Sequence, residues 1–145
     1  MTTIDMIELL NITENDFKFL YKILEERESV QNISHKKIPT YNEHINFIKS
    51  NPYSNWYIIF QNNKKIGTVY LSKQDEVGVF IKKEFQKNGI GKKSLKKLIK
   101  KNSRKKFFAN VNPKNYNSIK FFENFGFKLI QETHEMNSYE WVSNE

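Results

Sequence analysis

One strand–loop–helix–strand segment, residues 76–111, limits what this chain can fold into. Its two ends, EVGVFI (76–81) and FFANV (107–111), are short runs of β-branched and aromatic residues, a pattern typical of strands. Between them, two glycines precede a helical pattern whose inward face carries Ile90, Ser94, Leu95, Leu98 and Ile99. Two strands joined by a helix pair in parallel through a right-handed crossover. We therefore expect one parallel strand pair, with the glycine loop at the carboxyl end of its first strand.

The rest of the chain predicts antiparallel hairpins and three further helices. Further strands are predicted at 4–10, 56–60, 65–71, 127–131 and 138–142, and further helices at 14–27, at about 40–50 and from 116 to Gly126. Capping boxes at Thr13 and Thr40 begin the first two helices, which an irregular connection over 28–39 separates. The predicted fold class is therefore α/β (α+β), with the order β-α-α-β-β-β-α-β-α-β-β. It is a mixed, mostly antiparallel central sheet flanked by about four helices.

Length and composition fit a single domain over residues 1–145. The chain has no cysteine and only three scattered histidines, so we expect no disulfide, no thiolate nucleophile and no metal site. No apolar run approaches the roughly 18 residues of a membrane span, and the N-terminus lacks the pattern of a signal peptide. A cytoplasmic protein without a membrane partner is the expectation.

The positive charge is concentrated in one segment. The formal net charge is +8, and residues 82–106 hold 12 basic residues against the single acid Glu84. Such a segment attracts anions, whether nucleic acid, nucleotide or a phosphorylated cofactor. A basic nucleic-acid-binding module is one reading. It is disfavoured because these charges fall on a helix whose other face is core, and no nucleic-acid motif accompanies them.

Three known phosphate-binding motifs are candidates for the glycine loop. A Walker A loop fails because position 86 is Gln and Lys92 is followed by Lys93. The dinucleotide fingerprint fails because its third glycine position is Ser94. The pattern Q/R-x-x-G-x-G/A fits Gln86-Lys-Asn-Gly89-Ile-Gly91. Glycines in such a loop let backbone N–H groups approach phosphate oxygens at the positive end of a helix.

This loop resembles the pyrophosphate loop of GNAT-superfamily N-acetyltransferases. A second segment, Asn115-x-x-Ser118 continuing to Gly126-Phe127, is similar to the N-x-x-A/S…G-F segment of the same family. Both motifs occur in the family's order and spacing, over about 56–131. The resemblance implies acetyl-coenzyme A as co-substrate, with pantetheine along the backbone of one strand, pyrophosphate on the loop and Asn115 beside the pantetheine arm. The implied cofactor-binding residues are Val79, Phe80, Ile81, Gln86, Lys87, Asn88, Gly89, Ile90, Gly91, Lys92 and Asn115.

Acetyl transfer to an amine needs a neutral nitrogen, and an alkyl amine is free base only about once in 2,500 molecules at pH 7. A carboxylate can take the proton, directly or through water. Glu76, at the head of the cofactor strand in a Glu-x-Gly pattern shared with relatives, is the candidate catalytic base, and Asp75 is better explained as a turn residue. Since the chain has no cysteine for an acetyl-enzyme intermediate, direct transfer in a ternary complex is expected.

One departure from the family pattern concerns the leaving thiolate. Many relatives place a tyrosine where Phe122 stands, and phenylalanine cannot donate a proton. Either another tyrosine such as Tyr116 or Tyr139 serves, or the thiolate, with a pKa of about 8.5, leaves unassisted.

The acceptor is expected to be a primary amine, on a small molecule or a peptide. The groove that holds it should form from the first two helices, the 28–39 segment and the last hairpin. Candidate substrate-binding residues are His44, in a segment resembling amino-sugar-nucleotide N-acetyltransferases, and Tyr70, with Trp56 and Tyr57 as further stacking surfaces. A small molecule such as an amino sugar or sugar nucleotide is the first reading. The alternative is the N-terminus of a ribosomal or other protein, because the 115–127 segment also resembles that branch. A monomer or a homodimer is expected.

Overall fold

The computed structural model describes residues 6–27 and 38–143, and it confirms the predicted element order. The strands are β1 (Ile7–Asn11), β2 (Tyr53–Gln61), β3 (Lys64–Ser72), β4 (Val77–Ile81), β5 (Lys106–Val111), β6 (Lys128–Glu132) and β7 (Asn137–Val142). The helices are α1 (Phe17–Glu26), α2 (Tyr41–Lys49), α3 (Ile90–Lys101) and α4 (Tyr116–Phe125). Most of the predicted 28–39 connection and the first two residues of the predicted 4–10 strand lie outside the described residues.

Local sequence signals explain most element boundaries. Both predicted capping boxes form: the side chains of Thr13 and Thr40 accept backbone N–H groups, and the acids at Asp16 and Glu43 accept the N–H groups of the two threonines. Asp16 closes a short 3-10 turn, Glu14–Asp16, that leads into α1. The β2–β3 hairpin turns on Asn62 and Asn63, whose φ angles of 52° and 68° are those of a type I′ turn.

The strands form two antiparallel groups rather than one continuous sheet. The first has the order β1-β2-β3-β4 and the second β5-β7-β6, so that the last strand lies between β5 and β6. The groups meet at the parallel bridge between Glu76 and Phe108, where the N–H of Phe108 donates to the carbonyl of Asp75 at 2.9 Å. Beyond this bridge β4 and β5 form no ladder in the described structure, although the crossover is parallel as predicted. The carboxyl end of β4 therefore keeps backbone groups on its β5 side without strand partners.

Helices cover both faces of the first sheet. On one face α3 packs against β1, β3 and β4, and its Leu95 and Leu98 are fully buried together with Phe107. On the other face, Leu20 of α1 and Ile48 of α2 pack against Ile58 of β2 in a smaller cluster. Within the described ranges, no helix combines the length and the apolar character that crossing a membrane requires. The loop before α3 and the space beneath α1 and α2 both leave room for ligands.

Candidate active site

The loop between β4 and α3 has the backbone geometry that its glycines predict. Gly89 is the residue before α3 and has a φ of +76°, a region in which side chains other than glycine are strained. Gly91 has a different role, because a Cβ there would lie 3.1 Å from the ring of Phe121 on α4. The side-chain amide of Gln86 donates to the carbonyl of Ile81 at 2.9 Å and so ties the loop to the end of β4.

A cavity of about 450 Å³, here called the loop cavity, lies between this loop, the end of β4 and the start of α4. Ten of the eleven predicted cofactor-binding residues line it: Val79, Phe80, Ile81, Gln86, Lys87, Gly89, Ile90, Gly91, Lys92 and Asn115. Asn88 is exposed and is not part of the lining. Residues that are up to 36 positions apart in sequence are therefore brought to one surface.

The loop cavity suits an anionic, partly extended ligand. The first N–H groups of a helix have no partner within the helix, so the start of α3 presents donors and the positive end of its dipole. Lys83, Lys87 and Lys92 add positive charge to the lining, against the carboxylate of Glu26. Glu26 also accepts the backbone N–H of Lys83 at 3.2 Å, which fixes the end of α1 above the loop. The combination of helix start and lysines favours phosphate groups.

Asn115 is buried at the far wall of the loop cavity. Its side-chain oxygen accepts the N–H of Ser118 at 3.2 Å, so it caps α4 as the sequence predicts. Because the oxygen has this role, the amide NH₂ is the part of the side chain that can serve a ligand.

A second cavity, of about 320 Å³ and here called the aromatic cavity, lies between α1, α2 and the opposite face of β2–β4. Among the described residues, five Phe, Tyr and Trp side chains line it: Phe47, Tyr53, Trp56, Tyr70 and Phe80. Tyr53 and Tyr70 are stacked, with ring centroids 3.8 Å apart and an interplanar angle of 6°. Gly78 makes this arrangement possible, because a Cβ at that position would overlap the ring of Tyr70.

The polar side chains of the aromatic cavity are mostly neutral and satisfied. Burial raises the pKa values of the Tyr53 and Tyr70 phenols, which therefore stay protonated near neutral pH. Trp56 donates its indole N–H to Thr68 at 2.9 Å. His44, only 6% exposed, has its pKa lowered by burial, and its Nε2 has no hydrogen-bond partner among the described residues. The predicted substrate residues His44 and Tyr70 thus lie in one cavity.

The two cavities share a wall made of Ile23, Arg27 and Phe80. The guanidinium of Arg27 lies 4.4 Å from the centre of the Phe80 ring, a cation–π contact. Neither Arg27 nor Tyr53 nor Phe121 was predicted from the sequence as a site residue. Arg27 follows the last turn of α1 and belongs to no motif, whereas Phe121 lies inside the recognised 115–127 segment and could have been noticed there.

Glu76 lies at the bridge between the two sheets, and it lines neither cavity. Its carboxylate accepts hydrogen bonds from Asn110 at 2.6 Å and from the hydroxyl of Ser72 at 3.2 Å. Along β4, residues 76, 78 and 80 share one face, so Glu76 is about 7 Å from Gly78, the residue paired with Tyr70. Glu76 therefore lies on the face of the sheet that the aromatic cavity occupies, but outside the residues that line the cavity.

Several expectations about the acceptor groove need correction. The first two helices do line the aromatic cavity, and so does Pro39. The last hairpin does not line it: β6 and β7 belong to the second sheet, while strands β2 and β3 provide the floor. Tyr57 points into the other side of the sheet, where it is buried and accepts a hydrogen bond from Asn102. The cause is the sheet division, which moves the hairpin away from α1 and α2.

Phe122, Tyr116 and Tyr139 line neither cavity. Phe122 is buried in the core, in edge contact with Phe121 and Phe127 at centroid distances of 5.1 Å. Tyr139 is 2% exposed within the same core, and Tyr116 is 74% exposed on the surface. As for metals, the described ranges contain no group of three His, Asp or Glu side chains able to hold an ion.

Comparisons with known proteins agree with this geometry. A model described as the acetyltransferase (GNAT) family matches residues 17–127. An acetyltransferase from Thermus thermophilus has a TM-score of 0.79 at 15% identity, covering 94% of this chain and 97% of that chain. A domain from Methanocaldococcus jannaschii has a TM-score of 0.76 at 26% identity, covering 94% and 98% of the two chains.

Another neighbour is spermidine N-acetyltransferase from Vibrio cholerae, solved with coenzyme A and spermine. It has a TM-score of 0.75 at 14% identity, over 92% of each chain. No curated protein sequence matches significantly. The structural neighbours below 25% identity establish a shared fold, whereas the match of the family model to residues 17–127 establishes the family.

Proposed function

Since this chain is a member of the acetyltransferase (GNAT) family, we propose that it transfers an acetyl group from acetyl-coenzyme A to a primary amine of a small molecule. The observation that carries the proposal is the common wall of the two cavities, formed by Ile23, Arg27 and Phe80. One cavity has the charge and helix geometry for the donor, and the other has an aromatic lining for the acceptor. The reacting groups meet where the cavities adjoin.

The donor is assigned to the loop cavity. Its pyrophosphate contacts the N–H groups of the loop from Lys87 to Lys92, and its pantetheine runs along the backbone of Val79, Phe80 and Ile81. The support is the divergence of β4 from β5, which leaves that backbone without a strand partner on one side. The NH₂ of Asn115 contacts the pantetheine arm. These contacts bring the thioester toward Phe80 and the shared wall.

The reaction is a direct transfer. The lone pair of the amine attacks the thioester carbonyl carbon, a C–N bond forms, and the C–S bond breaks with its electron pair leaving on sulfur as thiolate. A backbone N–H within residues 79–81 stabilises the intermediate oxyanion. The amine proton passes to Glu76 through water, because Glu76 lies on the same face of β4 but outside the cavity lining. The chain offers no cysteine for a covalent intermediate.

An amino sugar or a sugar nucleotide is the first acceptor to test. Aromatic rings such as Trp56 and Tyr70 stack on the apolar face of a sugar, and His44 is a polar group in the same wall. The N-terminal amine of a ribosomal or other protein is the alternative, supported by the resemblance of the 115–127 segment. All residues in the proposal belong to one chain, so it applies to a monomer or to a homodimer.

The experiment measures acetyl transfer directly. The protein is incubated with acetyl-coenzyme A and a panel of amino sugars, sugar nucleotides, amino acids and N-terminal peptides, and both thiol release and acetylated product mass are recorded. We expect equimolar thiol and N-acetylated product with small amines. Acetylation confined to peptides would support the alternative acceptor. Nucleic-acid binding with steep salt dependence, and no binding of coenzyme A, would contradict the enzyme proposal altogether.

A further inference from the structure

The hydroxyl end of Tyr70 lies over the backbone of the neighbouring strand β4. Tyr70 of β3 is paired with Gly78 of β4, and a Cβ at position 78 would overlap Cζ, Cε2 and Oη of the tyrosine ring. Tyr53 of β2 stacks on the same ring at a centroid distance of 3.8 Å, which helps to hold the ring there. Glycine at position 78 therefore lets a side chain of β3 bring its hydroxyl to the strand on which the donor is proposed to lie.

This position is between the two places that the reaction must connect. Residues 76, 78 and 80 share one face of β4. Phe80, whose ring centroid is 6.2 Å from that of Tyr70, forms part of the shared wall where the amine is proposed to meet the thioester. Glu76, the proposed base, lies at the other end of this row and outside the lining of both cavities. The hydroxyl of Tyr70 thus lies over the residue that separates the proposed reaction point from the base.

The phenol of Tyr70 is neutral and is close enough to Glu76 to be affected by its charge. Burial is the main cause that raises the pKa of the phenol, the carboxylate of Glu76 raises this pKa further, and the guanidinium of Arg27 acts in the opposite direction. The hydroxyl also interacts with that of Tyr53. A phenol has one donor and two acceptor positions, so positions remain for a substrate and for water. A phenol that resists ionisation passes a proton on only when it receives another.

The other ionisable side chains that face Tyr70 across the aromatic cavity are less suited to this transfer. Arg27, at the end of α1, has no lone pair that could accept a proton. Glu43 and His44 belong to α2, across the cavity from β4, and Oε1 of Glu43 already accepts the N–H of Thr40 at 2.8 Å. Tyr70, in contrast, has its hydroxyl directly over β4.

We propose that the hydroxyl of Tyr70 relays the proton of the acceptor amine toward Glu76. As the C–N bond forms, an N–H bond of the attacking amine breaks and its proton binds to the phenol oxygen, while the proton of the phenol passes through water to the carboxylate. Tyr70 ends the step neutral, and Glu76 ends it protonated and later releases the proton to solvent. The inference rests on the proposed function and adds a catalytic residue to it.

Tyr70→Phe tests the relay, because phenylalanine keeps the ring and its stacking on Tyr53 but removes the hydroxyl. We expect kcat at pH 7 to fall by about 10²-fold, the lower end of general acid–base effects, and the KM for acetyl-coenzyme A to stay within about threefold. Turnover should recover as the pH rises, because the free-base fraction of the amine then grows. Tyr57→Phe is the matched control. It removes the hydroxyl of a buried tyrosine on the other face of the same sheet and should keep the wild-type kcat.

A double variant shows whether Tyr70 and Glu76 act on the same proton. The effects of two residues in one relay are not additive. Tyr70→Phe combined with Glu76→Gln should therefore be slower than the slower single variant by no more than about threefold. Separate roles would multiply the two losses, to about 10⁴-fold.

Several results would overturn the inference. Wild-type kcat in a Tyr70→Phe protein that unfolds at the wild-type temperature would do so, while the acetyltransferase proposal and the role of Glu76 would stand. A raised KM for the acceptor at unchanged kcat would make Tyr70 a binding surface instead. Multiplied losses in the double variant would assign its hydroxyl to a different step, such as departure of the thiolate. If the wild type acetylates no amine, this inference and the proposed function fail together.

Discussion

The side chains of Asn110 and Glu76 join the two sheets, with a hydrogen bond of 2.6 Å from Nδ2 of Asn110 to the carboxylate. The contact lies beside the Glu76–Phe108 bridge, where the first sheet meets the second. Asn110 is itself oriented by Ser138 of β7, whose hydroxyl donates to Oδ1 at 2.9 Å. The position of the proposed base therefore depends on three strands, and the same contacts hold the sheets together on the side where they do not diverge.

Replacing Glu76 by glutamine tests its role as the base. We expect acetyl-coenzyme A binding to stay nearly intact and turnover at pH 7 to fall by about 10²-fold or more. Turnover should recover as the pH rises, because the free-base fraction of the amine then increases without assistance. The measurement is the pH profile of kcat.

Asp75→Asn provides the matched control. Asp75 is the neighbouring carboxylate, in a turn with a φ of +64° that asparagine tolerates, and it pairs with Arg104 at 2.9 Å. This variant should keep the wild-type profile. Wild-type turnover and an unshifted profile in Glu76→Gln would show that the base is elsewhere or that none is needed.

Gly89→Val tests the loop as the pyrophosphate site. The valine side chain would project from the loop into the space before α3, where a Cβ meets no protein atom within 4 Å, and it would be strained at a φ of +76°. Coenzyme A affinity by calorimetry should weaken by well over tenfold. Asn88→Ala removes an exposed side chain that lies outside the cavity lining but keeps the backbone N–H assigned to the pyrophosphate, so this variant should bind normally. Unchanged affinity in a folded Gly89→Val protein would remove the assignment.

Phe122→Leu tests whether the ring is structural. The residue is 7% exposed and packs on Phe127, so the shape change should lower the free energy of unfolding by ~1 kcal/mol. Turnover of the folded protein should stay within a fewfold. Phe121→Leu makes the comparison, because Phe121 lines the loop cavity and its replacement should raise the KM for acetyl-coenzyme A. A folded Phe122→Leu protein that loses about 10² in turnover, at unchanged donor affinity, would instead give the ring a catalytic role.

The burial of His44 predicts that the free energy of unfolding depends on pH. Burial lowers its pKa in the folded protein below the ordinary 6.5, so the unfolded chain binds more protons between those two values. The free energy of unfolding should therefore fall as the pH drops through 6.5 toward the folded pKa. Urea unfolding at a series of pH values should show a shallower dependence in His44→Gln. His134→Gln, at an exposed position, should leave the pH dependence of the free energy of unfolding as it is. If that dependence is also unchanged in His44→Gln, the buried neutral imidazole of His44 is not its source.

The parts of the fold that the sequence predicted correctly depend on short-range interactions. The capping boxes at Thr13 and Thr40 join residues three apart, and the Asn62–Asn63 turn depends on two consecutive φ angles. The glycine loop is likewise a local feature, with Gly89 at positive φ directly before α3. Periodicity gave the element order for the same reason, since each element shows its buried face within its own residues.

The errors and omissions arise at contacts between residues far apart in the chain. The last hairpin was expected beside the acceptor groove, but the place of β7 between β5 and β6 moved it to the second sheet. Arg27 has no local signal, and it became a candidate because α1 packs over Phe80, more than fifty residues later. Glu76 accepts its shortest hydrogen bond from Asn110, which is 34 residues away on β5.

The sequence by itself determined the elements, their order, the glycine turn of the loop before α3 and, through its two motifs, the family. The tertiary structure decided that β4 and β5 diverge beyond one bridge, that two cavities meet at Arg27 and Phe80, and that Glu76 lies outside their lining. The physical reason is the separation along the chain of the residues whose interactions decide each feature. Backbone dihedral preferences and hydrogen bonds within a turn are fixed by neighbouring residues, whereas the packing of helices on a sheet depends on how all side chains fill the space between them.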